Sequence, residues 1–237
     1  MFVQCEQSKT YRRFCQGVYG RDLCQANMVD EEQLQKLVSL ADLKPFENVL
    51  DLGCGGGFTS EYISDLTNAR LLGLDFAKGA IEAASARTHS KFPRINFQVG
   101  DLNKLPKFAE KFDCIIAIDS LYFVNDLEKT LSSIASYLNP NGRLLIFYSS
   151  KLGTNGDVQL ETALTNAGLL FQKRDFTAND KEIWTRTKSV ALSLKEDFRA
   201  EGNSEIYKSR IAEAERNLQW HDEGVMGRWL YYCTFKS

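Results

Sequence analysis

No stretch of this 237-residue sequence is apolar for long enough to cross a membrane, and the N-terminal MFVQCEQSKTYRRF lacks the hydrophobic core of a secretory signal. A cytoplasmic protein without a membrane anchor is expected. Charge of one sign is not in excess either: 29 Lys and Arg against 31 Asp and Glu give a net charge of −2. The basic residues are spread along the chain, so no nucleic-acid partner is expected. The six cysteines (Cys5, Cys15, Cys24, Cys54, Cys114 and Cys233) form no CxxC pair and no metal-ligand spacing. They read as reduced thiols, and no metal is expected. There are two histidines, no Ser-His-Asp order and no phosphate-binding P-loop. Internal repeats and low-complexity tracts are also missing.

What is present suits one soluble domain, since 43% hydrophobic and 25% charged residues over this length can bury a full core. Short apolar runs bounded by Gly, Pro, Asn or Asp read as buried strands at 48–52, 70–74, 95–99, 112–118, 143–148 and 169–174. Between them, 59–65, 78–87, 126–138 and 157–167 carry apolar residues at helical spacing, as in Leu127, Leu131, Ile134 and Leu138. Such alternation predicts an α/β fold with a doubly wound sheet. Asn139-Pro140-Asn141-Gly142 reads as a turn that stops the fourth of these helices.

The two ends depart from the alternation. Residues 31–41, behind Asp30 as N-cap, read as a helix leading into the sheet, and the segment before it is rich in aromatics. Residues 178–223 hold two helical patterns broken at Gly202-Asn203, a hairpin inserted before a last strand at 228–235. The expected organisation is a helical cap over 1–44, a core of 45–177 and 224–237, and the insertion, expected to act as a lid. On it, Ile183, Trp184, Ala191 and Leu194 are expected to face the domain, with Tyr207, Arg210 and a Trp220-His221 turn nearer the site.

The stretch VLDLGCGGGFTS at 49–60 is the most informative. It reads as a buried strand, a glycine-rich turn and a helix beginning at Thr59 or Ser60. Such a turn brings a ligand against bare backbone N–H groups at a helix N-terminus. A dinucleotide pyrophosphate or S-adenosylmethionine would suit it, and GxGGG rather than GxGxxG disfavours a nicotinamide dehydrogenase.

Five motifs in order carry a resemblance that spans about residues 45–150: Asp51-Leu52-Gly53-Cys54-Gly55-Gly56-Gly57, Leu71-Leu72-Gly73-Leu74-Asp75-Phe76, Val99-Gly100-Asp101-Leu102, Phe112 to Tyr122, and Pro140-Asn141-Gly142-Arg143-Leu144. Together they resemble the class I S-adenosylmethionine-dependent methyltransferases of small-molecule type, which implies a Rossmann-like seven-stranded sheet with helices on both faces. The resemblance implies that Asp51 positions the methionine amino group over Gly53, Cys54 and Gly55. It likewise implies that Asp75 takes the ribose hydroxyls and Phe76 packs on the adenine, with Asp101 and the Leu102 N–H near the adenine edge. The turn Asp119-Ser120-Leu121-Tyr122 would face the transferred methyl.

In many small-molecule members an N-terminal aromatic segment closes over the cofactor, so Tyr11 and Tyr19 either line the pocket or pack the core. Asp119 could take a proton from an amine acceptor, and Tyr122 or His221 could orient a hydroxyl or carboxylate, although His221 also reads as a solvated loop residue; His89 reads as exposed. The implied partner is a small-molecule methyl acceptor, methylated on nitrogen or oxygen. The competing readings are an RNA or protein methyltransferase and a non-catalytic S-adenosylmethionine-binding protein.

Overall fold

Alternate residues of the central strands face opposite sides of the sheet, and both sides are buried: Leu50, Leu52, Ile115 and Ala117 on one, Val49, Cys114, Ile116 and Ile118 on the other. The computed structural model, which describes residues 2–151 and 156–236, begins with α1 (Phe2–Gln7), α2 (Lys9–Tyr19) and α3 (Glu31–Ala41). The alternating part follows as β1 (Asn48–Leu52), α4 (Phe58–Thr67), β2 (Arg70–Asp75), α5 (Lys78–Arg87), β3 (Ile95–Val99), β4 (Phe112–Ile118), α6 (Leu127–Ser136), β5 (Leu138–Lys151), α7 (Gly156–Asn166) and β6 (Leu169–Asp175). It closes with α8 (Thr177–Ser193), α9 (Lys195–Ala200), α10 (Ser204–Asp222) and β7 (Met226–Phe235).

The seven strands form one sheet in the order β3-β2-β1-β4-β5-β7-β6. Pairing is parallel from β3 to β5, and β7 inserts antiparallel between β5 and β6. The expected Rossmann-like sheet with helices on both faces is what the structure shows. One face is covered by α6 and α7 through Leu131, Ile134, Leu160 and Leu164, the other by α3 and α4 through Leu34, Leu37 and Ile63. Asp30 caps α3 as expected, its side chain accepting from the Gln33 N–H. No helix among the described residues is long and apolar enough to cross a membrane, and all six cysteines are free thiols.

Two local expectations shift. Helix α4 starts at Phe58 because Gly57, at φ +71°, takes the N-cap position with no side-chain bond. The Asn139–Gly142 stretch is an excursion within β5: Phe112 pairs with Leu138 and Cys114 already with Arg143. The preceding helix has by then ended at Ser136, so the turn-forming residues were used to bulge a strand.

The hairpin lies before the last strand, as expected, and packs on the N-terminal helices. Ile183, Trp184, Ala191 and Phe198 share a buried cluster with Tyr11, Phe14, Val18 and Tyr19 of α2. Polar ties join the same parts: Glu201 accepts from the Ser8 hydroxyl at 2.6 Å and from the Thr10 N–H at 3.0 Å. The N-terminal segment and the hairpin thus form a single cover, with its own apolar interior, over one end of the sheet.

Candidate functional site

A cavity of about 610 Å³ opens at the C-terminal ends of β1, β2 and β4. Strand order reverses direction at β1, whose neighbours are β2 on one side and β4 on the other, and such a switch point leaves a crevice for ligands. Its walls come from the Gly53–Gly57 loop, the ends of β2, β3 and β4, and the Leu23–Asn27 segment between α2 and α3.

Glycine is required in this loop for two distinct reasons. Gly53 sits at φ +76°, and a Cβ there would lie 2.4 Å from the Cβ of Ser120 on the neighbouring strand end. Gly57, also left-handed, would press a Cβ to 2.4 Å from the Phe97 ring. The loop's orientation is fixed by Asp75, whose Oδ2 accepts from the Gly55 N–H at 2.9 Å and whose Oδ1 accepts from the Ala77 N–H at 2.8 Å. Those two bonds leave about two of roughly four lone-pair sites of the carboxylate for a ligand. Phe76, 74% exposed, stands on the wall beside it as an open ring face.

Asp51 is buried beneath the loop, with the Ser60 hydroxyl donating to its Oδ2. Burial pushes its carboxyl up to about 6, the Ser60 bond pulls the other way and the Asp75 charge adds to the rise. The Cys54 thiol on the wall is raised well above its ordinary value, by burial and by the Asp51 and Asp75 charges, and so stays neutral. Asp101 and Leu102 line the opposite edge. Asp101 accepts from the Asn103 N–H at 2.8 Å and its side-chain amide at 2.9 Å, and these bonds hold its carboxyl below the ordinary value.

At the end of β4, Ser120 donates to the Leu52 carbonyl at 2.6 Å, and Asp119 takes the left-handed conformation at φ 53°. Four bonds hold Asp119 there. Arg228 grips both oxygens at 2.7 and 2.9 Å, the Tyr122 hydroxyl donates to Oδ1 at 2.9 Å and the Met28 N–H to Oδ2 at 2.9 Å. Its acceptor capacity is filled, which makes it a clamp between the sheet, β7 and the N-terminal segment. Tyr122 in turn accepts from the Ser149 N–H at 2.6 Å, and burial with the Asp119 charge raises its phenol well above the ordinary value.

Arg228 is 1% exposed and extends the clamp. Its Nε donates to Gln33 at 3.0 Å and lies 3.7 Å from Asp180 Oδ1, while Nη1 also donates to Ser149 Oγ at 2.9 Å. Burial works against the guanidinium charge, and the Asp119 and Asp180 carboxylates more than offset it, so its pKa is raised. Asp180 Oδ2 accepts from Trp184 Nε1 at 3.1 Å and meets His221 Nε2 at 2.8 Å.

The structure thus brings Gly53, Cys54, Gly55, Asp75, Phe76, Asp101, Leu102, Asp119 and Ser120 to one cavity. Asp51 lies below the loop, and Tyr122 stands one hydrogen bond behind Asp119. Tyr11 and Tyr19 are packed in the cover's interior; Tyr11 donates to the Gln25 carbonyl at 2.8 Å, and the Tyr19 hydroxyl contacts the Met28 sulfur at 3.5 Å. His221 is not a loop residue in solvent: it ends α10 with its side chain 3% exposed against Asp180, away from the cavity wall. His89 is exposed, as expected. The cavity wall contains no residue of the hairpin, which reaches the site through the N-terminal segment it backs and through Asp180, beside the Arg228 that holds Asp119.

Sequence reading missed Leu23–Asn27 and Arg228. The former is aperiodic and carries no motif. Arg228 left one trace, as the only charge in the run from Met226 to Phe235. A charge there has to be paired, but its partner is not legible in the sequence.

A methyltransferase-domain family profile matches residues 43–201. Among curated proteins, the methyltransferase GfsG of Streptomyces halstedii is 31% identical over 130 residues, 54% of this chain and 47% of that protein. A ubiquinone biosynthesis O-methyltransferase of Coxiella burnetii is 33% identical over 104 residues, 44% of this chain and 43% of that protein. The chain therefore spans about half the length of the curated relatives it matches.

Solved structures share the fold at low identity. Phosphoethanolamine N-methyltransferase 2 of Haemonchus contortus, solved with phosphomonomethylethanolamine and S-adenosylhomocysteine, has a TM-score of 0.82 at 17% identity, over 100% of this chain and 60% of that one. The [4+2]-cyclase SpnF has a TM-score of 0.76 at 14% identity, over 98% of this chain and 96% of that one.

Proposed function

Because the chain belongs to the methyltransferase-domain family, we propose that it is an S-adenosylmethionine-dependent methyltransferase acting on a nitrogen or oxygen of a small molecule. The observation that carries this reading is the convergence of the glycine loop, Asp75, Phe76, Asp101 and Leu102 on one cavity. Asp75 keeps lone pairs free for a ribose diol, Phe76 offers a ring face for a base, and the loop allows close backbone approach. Asp51, buried and poised near pH 6, gains its charge at the cost of little once a ligand ammonium lies nearby. Bound there, S-adenosylmethionine supplies an electrophilic methyl group on a positively charged sulfur.

The protein's own part is alignment and exclusion of water. Leu23, Ile118 and Phe123 give the cavity apolar walls, in which a neutral nucleophile is held without competing solvent. Asp119, with its acceptor sites occupied, positions the segment across the cavity rather than removing a proton. An amine acceptor then reacts as its free base and releases its proton after transfer.

Among the described residues, the cavity wall has no lysine or arginine, which favours a small molecule over RNA. The named relatives include an O-methyltransferase and the named structures an N-methyltransferase, so both acceptor atoms belong to the reading.

The test has two stages. Thermal-shift measurements with S-adenosylmethionine, S-adenosylhomocysteine, NAD and NADP should show stabilisation by the first two alone; stabilisation by the nicotinamides alone overturns the reading. Transfer of a labelled methyl group into a metabolite extract, read by mass spectrometry, should then yield a small labelled product. Label found only in RNA or protein would move the acceptor class.

A further inference from the structure

A second cavity of about 20 Å³ shares Cys24 and Ala26 with the large one; its other walls are Cys5, Tyr11, Ile206, Ser209 and Arg210. Only Arg210 among them carries a charge. It sits on α10, 8% exposed, and makes no hydrogen bond among the described residues. Its one ion pair is to Glu213, three residues on, at 2.8 Å from Nη2 to Oε2. That carboxylate oxygen is itself buried without a hydrogen-bond partner, so the contact lacks the alignment of a bond.

The groups around the guanidinium do not complete it. Burial raises the phenols of Tyr11 and Tyr19 and the thiol of Cys5, and pushes the Cys24 thiol up to about 12, so all four are neutral near pH 7. The Tyr11 hydroxyl is already spent on the Gln25 carbonyl. A guanidinium has five donors, and those of Arg210 that are not turned to Glu213 are not sealed off but stand unbonded on the wall of the small cavity. Arg228 shows how this chain treats a buried arginine that is purely structural, with partners on Asp119, Gln33 and Ser149. Arg210 has no such set.

A planar group with two oxygens matches the donor fork of a guanidinium, and a space of about one or two water molecules admits the head of a carboxylate but little more. The Ser209 hydroxyl on the same wall is available as a further donor. We propose that Arg210 and Ser209 form a carboxylate subsite, and that the methyl acceptor is an acidic small molecule whose nucleophilic atom lies in the large cavity on the other side of Cys24 and Ala26. The substrate class rests on the methyl-transfer reading, whereas the anion site itself does not. Acceptor choice then resides in the cover, and the hairpin contributes to it through one helix turn of α10.

The probe is acetate against its neutral isostere acetamide, at matched ionic strength, titrated by calorimetry into the full chain with and without S-adenosylhomocysteine. Acetate should bind at least tenfold more tightly than acetamide. In Arg210→Gln the preference should vanish while S-adenosylhomocysteine affinity stays within about twofold. Equal binding of the two probes, or an acetate preference that survives in Arg210→Gln, overturns the subsite and leaves the space to ordered water. Should Arg210→Gln fail to fold, Ser209→Leu, which fills the space from the neighbouring position, gives the same readout: loss of acetate binding in a chain that still holds S-adenosylhomocysteine. A wild-type chain that prefers acetate yet binds no S-adenosylhomocysteine would refute the methyl-transfer reading and leave the anion site standing.

Discussion

The two sides of the large cavity are built by different means. The glycine-loop side, from Gly53 to Asn103, is formed by strand ends and short loops whose groups bond to near neighbours across the sheet, as Asp75 does to Gly55 and Ala77. The cover side is joined by contacts between residues far apart in sequence: Arg228 to Asp119, Glu201 to Ser8 and Thr10, Arg186 to Asp30. Local geometry makes the first side a fixed cradle. The second can be altered at one partner without disturbing the cradle, and this difference is what experiment can break or sharpen.

The largest effect is expected at the clamp between the two sides. Arg228→Met leaves the Asp119 carboxylate buried without its partner, which should cost about 3–5 kcal/mol of stability, measured by urea unfolding. Adding Asp119→Asn should recover part of that loss, because the two sites are one pair. Losses that simply add would mean the pair is not coupled and the cover is held elsewhere.

Gly53→Val tests the cradle itself. Its side chain would meet Ser120 in a left-handed backbone conformation, so affinity for S-adenosylhomocysteine should fall about a hundredfold or more, equivalent to roughly 3 kcal/mol. Calorimetry showing wild-type affinity would mean the loop can move away from the end of β4, and that the cradle is not fixed.

A smaller effect should appear with pH. In the ligand-free fold Asp51 is raised to about 6, so binding that favours its carboxylate should tighten by up to about tenfold per pH unit below 6 and level off above it. Stability of the ligand-free chain moves in the opposite sense. The folded state holds the extra proton between the ordinary carboxyl value and about 6, so this contribution is full at low pH and is lost as pH rises through 6. Asp51→Asn should flatten both profiles; an unchanged affinity profile in that variant would assign the pH dependence to another group.

The smallest change is expected at the outer seam of the cover. Glu201 accepts from Ser8 and Thr10, and these bonds outweigh burial and hold its carboxyl below the ordinary value. Glu201→Gln should lower stability by about 1 kcal/mol or less and leave S-adenosylhomocysteine affinity unchanged. The wild-type contribution should be present above the ordinary glutamate range and fade as pH falls through the depressed value. A loss of cofactor affinity in this variant would show that the two sides are not separable.

Legibility in the sequence follows the same division. Strands 48–52 and 112–118 match the observed β1 and β4, and residues 78–87 match α5, because apolar periodicity is a local signal. The glycine run and the acids ending β2 and β3 were visible for the same reason: a turn, a cap or a strand end needs a particular residue at a particular position. Asn139–Gly142 was misleading, since turn-forming residues serve a bulge as readily as a turn.

The cover was only half legible. Helical spacing gave two helical patterns and Gly202-Asn203 the break between them, but not the second break at Leu194 that divides the first into α8 and α9, nor where the hairpin docks or which of its groups face a cavity. His221 illustrates the reason: nothing in Gln219-Trp220-His221-Asp222 marks a partner, yet its side chain is buried against Asp180, forty-one residues away. The sequence by itself determined the sheet, the cradle and the chemistry the cradle suits, all carried by interactions within a few residues or between adjacent strands. Only the tertiary structure decided that Arg228 completes Asp119, that Leu23–Asn27 closes the cavity and that no distant carboxylate joins Glu213 at Arg210, because pairing between buried charges depends on which distant segments the fold brings together.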